Sequence, residues 1–216
     1  MGTAKPFDLP LFLRALEFAA RKHRDQRRKD AEATPYINHP IAVAAILAIE
    51  AGVEDQDVLC AALLHDAPED TETTEQELID NFGANIAGIV TEVTDDKRLP
   101  KEERKRLQIE HARHLTPAAA LVKVADKIAN LRDVAETPPA DWLLARRQEY
   151  FDWAKAVVDA VPEVPPKLRA LFAEAYASKP HPPIAELAKA YGFVQQTAPG
   201  LGFVIGGVRP PNGNQR

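Results

Sequence analysis

The sequence predicts an all-α domain, and three observations support this prediction. Apolar residues recur at helical spacing through most of residues 9–178. No segment in that range alternates apolar and polar residues in the way a half-buried strand does. The periodic segments are separated by short stretches of proline, glycine or aspartate, as connections in helix bundles are. The 216 residues provide one domain of ordinary size with room for an appendage.

The first two helices are predicted from their boundary residues. Asp8 and Pro10 are a plausible N-cap and early-turn pair for an amphipathic helix whose apolar residues lie within 11–20. Residues 38–40 open a second helix, which runs over 41–51 and ends at Gly52.

The third helix is predicted over 55–67, around the apolar run 58–64. Pro68 restricts its continuation, because proline lacks an amide hydrogen and disfavours a helical residue before it. We expect Pro68 to end this helix between two polar pairs and to turn the second pair toward whatever the first pair binds. The two pairs are His65 with Asp66, and Glu69 with Asp70.

The remaining helices are predicted by the same rules. The segment from Thr74 to Glu77 resembles a capping box, which opens a helix that Gly83 closes. Helical periodicity then returns in five further segments: 84–93, 101–115, 118–134, 139–161 and 165–178.

The composition changes near residue 180. Residues 180–216 contain six of the ten glycines and many prolines. They include a short helix-like piece, 184–191, and an apolar stretch, 201–208, while the last residues have a disordered composition. The sequence therefore predicts a domain over 1–179 and an extension over 180–216 that is partly disordered or docks on the body or on a partner.

Charge and cysteine content limit the class of protein. A net charge of −5 argues against nucleic-acid binding by overall electrostatics. Residues 21–29 nevertheless carry six lysines or arginines, which suit one small anionic ligand or form a solvated helix face. The single cysteine, Cys60, fits a reducing compartment, and no apolar run reaches membrane-spanning length. A cytoplasmic protein without a membrane or nucleic-acid partner is expected.

Three predicted helices carry candidate metal ligands. His65 and Asp66 follow a run with a buried composition, where charged groups are expensive unless they are paired or metal-bound. His39 lies at the start of the second helix, and Asp126 lies at the margin of an apolar helix face with Asn130 one turn later. Two histidines and two aspartates suit a six-coordinate ion such as Mn²⁺. Alternatively, each histidine is a satisfied core residue, and the pair at 65–66 caps a helix end.

These residues resemble the signature of a known family. The order His39, His65-Asp66, Asp126 is similar to that of the HD superfamily of metal-dependent phosphohydrolases. Four segments resemble the RelA/SpoT-type alarmone hydrolase domain: 26–29 (QRRK), 34–40 (TPYINHP), 65–71 (HDAPEDT) and 124–133 (VADKIANLRD). Residues 146–154 (RRQEYFDWA) resemble the stand-alone branch, the metazoan SpoT-homologue type. Ala33 departs from the pattern, since many relatives have glycine there.

The resemblance implies an all-α HD-domain bundle that hydrolyses the 3′-pyrophosphate of guanosine tetra- or pentaphosphate, (p)ppGpp, to GDP or GTP and pyrophosphate. It implies one Mn²⁺ ion per active site, held by four ligands: His39, His65, Asp66 and Asp126. It implies that Glu69 and Asp70 activate or position the attacking water, and that Asn130 is a polar residue of the catalytic site. Five residues match positions that contact the nucleotide or its phosphates: Arg28, Lys29, Lys101, Arg146 and Tyr150.

Other functions stay open at this point. The same site is compatible with an NADPH 2′-phosphatase, and with a module that senses a nucleotide without turning it over. The residues after 178 are too few for a synthetase domain, so hydrolase without synthetase activity is expected. Whether Tyr150 stacks on the base or contacts phosphate, and the oligomeric state, do not follow from the sequence.

Overall fold

The computed structural model describes residues 6–182, and within them it consists of helices and loops. One isolated antiparallel bridge joins Arg27 and Pro35. The all-α prediction is therefore confirmed for this part of the chain. The α-helices are α1 (Leu9–Lys22), α2 (Asn38–Ala45), α3 (Gln56–Leu64), α4 (Ala67–Asp70), α5 (Glu75–Phe82), α6 (Ala84–Val93), α7 (Lys101–Ala112), α8 (Pro117–Glu136), α9 (Leu144–Ala160) and α10 (Pro166–Ala177).

Side-chain caps fix the starts of several helices. The Asp8 carboxylate accepts a hydrogen bond from the Leu11 amide at 3.0 Å. The Thr74 hydroxyl accepts one from the Glu77 amide at 3.1 Å. Each cap satisfies an amide that has no partner inside its own helix. Both predicted N-caps are confirmed.

The predicted second helix is continuous but changes its winding. After α2 the segment Ile46–Ala51 is π-helical, and it ends as predicted at Gly52, whose φ is 76°. Glu50 in this segment accepts two hydrogen bonds from the Arg132 guanidinium, at 2.7 and 2.8 Å. This two-bond geometry is specific in direction, and it anchors the π-helical segment to α8.

The prediction that Pro68 ends the third helix is wrong. α3 ends at Leu64, and Pro68 lies in the first turn of the short helix α4, Ala67–Asp70. The first turn of a helix has no intrahelical partner for an amide hydrogen, so the missing hydrogen of proline does no harm there. The chain therefore breaks at the first polar pair, and the second pair lies within α4.

Two further helix boundaries differ from the prediction by several residues. α7 ends at Ala112 rather than at 115, and α9 begins at Leu144 rather than at 139. The residues before α9 form a loop, because the amide of Ala140 donates to the carbonyl of Lys29 at 3.2 Å. This bond ties the loop to the basic segment and brings Trp142 to the same side of the molecule.

Two helices form the centre of the bundle. α3 packs against α1, α2, α6 and α8, and all residues from Val58 to Leu64 are buried. α8 packs against α2, α3, α6, α9 and α10. Since close-packed interiors deform little, side chains at the end of α3 and in the middle of α8 are held in fixed positions.

Some predictions concern residues outside the described range. These are the helix-like piece 184–191 and the apolar stretch 201–208. The boundary between the domain over 1–179 and the extension over 180–216 also stays a prediction. Within residues 6–182, every helix is too short or too polar to cross a bilayer.

Candidate active site

The four predicted metal ligands converge on one point. His39 Nε2 lies 3.2 Å from Asp126 Oδ1 and 3.6 Å from Asp66 Oδ2. His65 Nε2 lies 3.2 Å from Asp66 Oδ1 and 3.7 Å from Asp126 Oδ1. The first turn of α2, the end of α3 and the middle of α8 supply these side chains. Both imidazoles therefore face the same two carboxylates.

The contacts of His65 leave one ring nitrogen available to a metal ion. Its Nδ1 lies 2.9 Å from the carbonyl of Ala62, which only accepts, so Nδ1 carries the proton. Its buried Nε2 faces two carboxylates and has no hydrogen-bond partner of good geometry, and it offers a lone pair once it is deprotonated. Burial lowers the pKa of His65, but in the metal-free protein Asp66 and Asp126 outweigh it and raise the pKa to about 9, so a metal ion would bind Nε2 by displacing its proton.

A divalent metal ion fits this donor set. His39, His65 and Asp126 place one donor atom each within 4.8 Å of one another, and all three are buried. Imidazole nitrogens with carboxylate oxygens suit a six-coordinate ion that keeps positions for water and substrate. The ion would satisfy the orphaned nitrogen of His65 and offset the charge of the two carboxylates.

Asp126 is held by its own helix. Its Oδ1 accepts a hydrogen bond from Asn130 Nδ2 at 2.6 Å, and its Oδ2 accepts one from Lys127 Nζ at 3.0 Å. Burial opposes the charged form, but the Lys127 ammonium and the two histidines hold the pKa of Asp126 well below its usual range. The ammonium also lies 4.6 Å from the centre of the Trp153 ring, which fixes it in place.

The acidic pair lies beside the metal ligands, within α4. Glu69 is mostly buried; its Oε1 lies 3.8 Å from Lys97 Nζ and 4.0 Å from Arg104 Nη1. Burial, followed by the negative charges of Asp95 and the nearby metal-site and α4 aspartates, raises the pKa of Glu69 to about 7. A carboxylate with a pKa near neutrality can accept a proton at neutral pH and release it again.

A cavity of about 530 Å³ opens next to this centre. His39 and Asp70 lie in its wall, so it reaches both the metal ligands and the acidic pair. Four of the other predicted residues line it: Arg28, Lys29, Asn130 and Tyr150. Arg28 donates to Asn130 Oδ1 at 3.2 Å and pairs with Asp133, which aims its guanidinium along the cavity wall.

Two predicted binding residues lie outside the cavity lining. Arg146 stacks its guanidinium 4.5 Å from the centre of the Trp142 ring, and its Nη1 lies 3.7 Å from Asp141 Oδ2. Lys101 is exposed at the start of α7. Their substrate contacts stay predictions, although Arg146 reaches the cavity wall indirectly, through Trp142.

Three residues in or beside the site were missed by the sequence reasoning. The Tyr36 hydroxyl lies 2.8 Å from both Asp66 Oδ2 and Asp70 Oδ2 and can donate its one hydrogen to either, and its membership of the 34–40 motif was the available signal. Lys97 pairs with Asp70, and no motif in the sequence around it indicates a role in the site. Trp142 lines the cavity, but the helix predicted over 139–161 concealed its place in a loop.

A helical bundle that brings two histidines and two aspartates to one buried point, with an acidic pair beside it, has the architecture of the HD class of proteins. A family model described as HD domain matches residues 15–151. The chain belongs to the HD domain family.

Individual relatives agree with this assignment. The human guanosine-3′,5′-bis(diphosphate) 3′-pyrophosphohydrolase MESH1 is 62% identical over 146 residues, which are 68% of this chain and 82% of that protein. The zebrafish (Danio rerio) protein of the same name is 53% identical over 168 residues, 76% of this chain and 93% of that one. A solved structure described as "A metazoan ortholog of SpoT hydrolyzes ppGpp and plays a role in starvation responses" aligns with a TM-score of 0.77 and 46% identity. The alignment covers 80% of this chain and 97% of that one.

Proposed function

We propose that this protein is a metal-dependent hydrolase that removes the 3′-pyrophosphate of ppGpp and pppGpp. The products are GDP or GTP and pyrophosphate, so the reaction ends signalling by these nucleotides. The observation that carries the proposal is the cavity that joins the His–Asp centre to Arg28 and Lys29. The relatives at 53% to 62% identity, which are named for this activity, support it.

The metal ion would be held by His39, His65, Asp66 and Asp126, and we propose Mn²⁺, one per site. When bound, a divalent ion supplies positive charge to a phosphoryl oxygen and lowers the pKa of water. The donor set supports a six-coordinate ion of this kind, because it contains carboxylates and imidazoles but no thiolate.

Glu69 is the proposed proton acceptor. Water attacks the phosphorus attached to the ribose 3′ oxygen, one P–O bond forms and the bond to the 3′ oxygen breaks. Glu69 takes a proton from the water, and the departing 3′ oxygen gains one. The raised pKa of Glu69 supports this role, and Asp70 beside it orients the water. Asn130 holds Asp126 in place from the next helical turn.

The cavity wall supplies the proposed nucleotide contacts. Arg28 and Lys29 offset the phosphate charge, and a guanidinium can bind two phosphate oxygens at once. Tyr150 and Trp142 are neighbouring rings with centroids 5.4 Å apart, and both line the cavity. They provide an apolar wall for a purine. Lys101 and Arg146 complete the set as outer phosphate contacts.

Location and partners follow from the same proposal. The substrate is a small nucleotide rather than a nucleic acid, since the acidic chain concentrates its basic residues beside one cavity. We place the protein in the cytoplasm, which suits its single buried cysteine.

The decisive experiment is a substrate screen on the purified full chain. The protein is stripped of metal, reconstituted with Mn²⁺ and incubated with ppGpp or with NADPH, and the products are identified by anion-exchange chromatography. We expect pyrophosphate and GDP from ppGpp, abolished by EDTA, with a higher kcat/KM than for NADPH. A higher kcat/KM for NADPH contradicts the substrate assignment, and tight ppGpp binding without product indicates a sensing module.

Matched variants test the proton acceptor. Glu69→Gln should reduce kcat by about 10²- to 10⁴-fold, the usual contribution of a positioned base. Glu163→Gln makes the same chemical change at an exposed position between α9 and α10 and should leave kcat unchanged. Wild-type kcat in Glu69→Gln contradicts the assignment.

A further inference from the structure

The hydroxyl group of Tyr36 joins two functional groups that the chain supplies separately. It lies 2.8 Å from Asp66 Oδ2, on the metal-site side, and 2.8 Å from Asp70 Oδ2, in the acidic pair. Tyr36 is itself mostly buried and lies in the cavity wall. A single oxygen atom therefore connects the carboxylate that holds the ion with the one that orients the water.

The two carboxylates have different freedom without this contact. Asp66 directs Oδ1 to His65 at 3.2 Å, and Oδ2 lies 3.6 Å from His39. Asp70 has one further side-chain partner, the half-exposed Lys97. Removing the hydroxyl therefore leaves Asp70 with a mobile surface partner only, and it leaves Asp66 Oδ2 with only the longer contact to His39.

The ring of Tyr36 is placed independently of these hydrogen bonds. It stacks on the buried His23 ring, with centroids 4.9 Å apart and planes at 24°. The Tyr36 amide donates to the Gln26 carbonyl at 3.1 Å, and the Gln26 side-chain amide donates to the carbonyl of Asp70 at 2.6 Å. His23 Nδ1 fixes that side chain through Gln26 Oε1 at 2.7 Å. The stacked ring and the backbone hydrogen bond therefore fix the position of the hydroxyl.

We propose that Tyr36 is a positioning residue that sets Asp66 and Asp70 relative to each other, and so aligns the water-orienting carboxylate with the metal site. Partners of this kind typically change metal affinity or activity by 10- to 100-fold when they are removed. The effect on turnover rests on the proposed function, whereas the effect on metal affinity does not.

The test is Tyr36→Phe, which removes the hydroxyl and keeps the stacked ring. Tyr176→Phe is the matched control, because its hydroxyl donates to Asp152 Oδ1 at 3.0 Å on the distant α9–α10 surface. Three quantities are measured on the full chain: the Kd for Mn²⁺ by calorimetry, kcat and KM for ppGpp, and the midpoint of thermal unfolding.

We expect the Kd for Mn²⁺ to rise about tenfold and kcat to fall 10- to 100-fold in Tyr36→Phe, with KM within threefold of wild type. The control should match wild type in Kd, kcat and KM. An unchanged Kd for Mn²⁺ overturns the proposal. A rise in KM at constant kcat also overturns it, because that result makes Tyr36 a substrate contact. An equal change of Kd and kcat in Tyr176→Phe overturns it as well. A wild-type protein that does not hydrolyse ppGpp refutes the proposed function, while the Kd comparison still decides the role of Tyr36.

Discussion

Replacing Glu69 with glutamine should stabilise the metal-free protein while it reduces kcat. The Glu69 side chain is 20% exposed, and its two cationic neighbours, Lys97 and Arg104, lie 3.8 and 4.0 Å away, beyond hydrogen-bond distance. Burial, the largest cause, and then the charges of Asp95, Asp66 and Asp70 raise its pKa from 4.5 to about 7, against the opposing charge of Lys97. The folded protein thus holds a carboxylate in a place that disfavours its charge.

The magnitude and its sign follow from proton linkage. A group with a higher pKa in the folded chain binds its proton more tightly there, so the free energy of unfolding falls as pH rises from 4.5 to about 7. The difference between these values corresponds to about 3 kcal/mol at 1.36 kcal/mol per pKa unit. Glutamine is neutral at every pH. Glu69→Gln should therefore gain about 3 kcal/mol at pH 8 and about 1 kcal/mol at pH 5.

Urea unfolding of the metal-free proteins, followed by circular dichroism at both pH values, measures this difference. Glu72→Gln is the control, because Glu72 is exposed and its own amide and Lys22 lower its pKa, so its loss should not stabilise the protein at pH 8. An equal gain for Glu69→Gln at both pH values, or a loss at pH 8, would refute the reasoning.

Three further predictions each follow from one local feature of the structure. Ala33 has φ 50°, so Ala33→Gly should raise the free energy of unfolding by about 0.5–1 kcal/mol in urea titrations, whereas Ala31→Gly in the same loop should lower it. Saturating Mn²⁺, at about 100 times its Kd, should stabilise the wild type by about 2.7 kcal/mol. Thermal-shift assays should show that His65→Ala loses this stabilisation and that the exposed His114→Ala keeps it; retention in His65→Ala would contradict the metal site. Arg28→Gln should raise KM for ppGpp about tenfold or more with a smaller change in kcat, since charged hydrogen bonds are worth about 1.5–3 kcal/mol; an unchanged KM in steady-state assays would exclude the contact.

The local elements of the fold were predictable because their causes lie within a few residues. Asp8 and Thr74 cap their helices through amides three residues away, and Gly52 ends its helix through its own backbone. Proline is an ambiguous signal in a sequence, because its missing amide hydrogen disfavours a helix interior but is tolerated in the first turn of a helix. Pro68 was therefore assigned to the wrong helix. The start of α9 was missed because a hydrogen bond to distant Lys29 holds the preceding residues in a loop.

The sequence by itself determined the residue types of the site, which are two histidines, three aspartates and a glutamate. Tertiary structure alone decided which atoms meet. His39 and Asp126 are 87 positions apart and come within 3.2 Å because α2 and α8 pack together. The packing also directs the hydroxyl of Tyr36 between two carboxylates and buries Glu69 among negative charges. Spacing along a chain sets periodicity and capping, whereas distances and desolvation across helices depend on how the whole core closes.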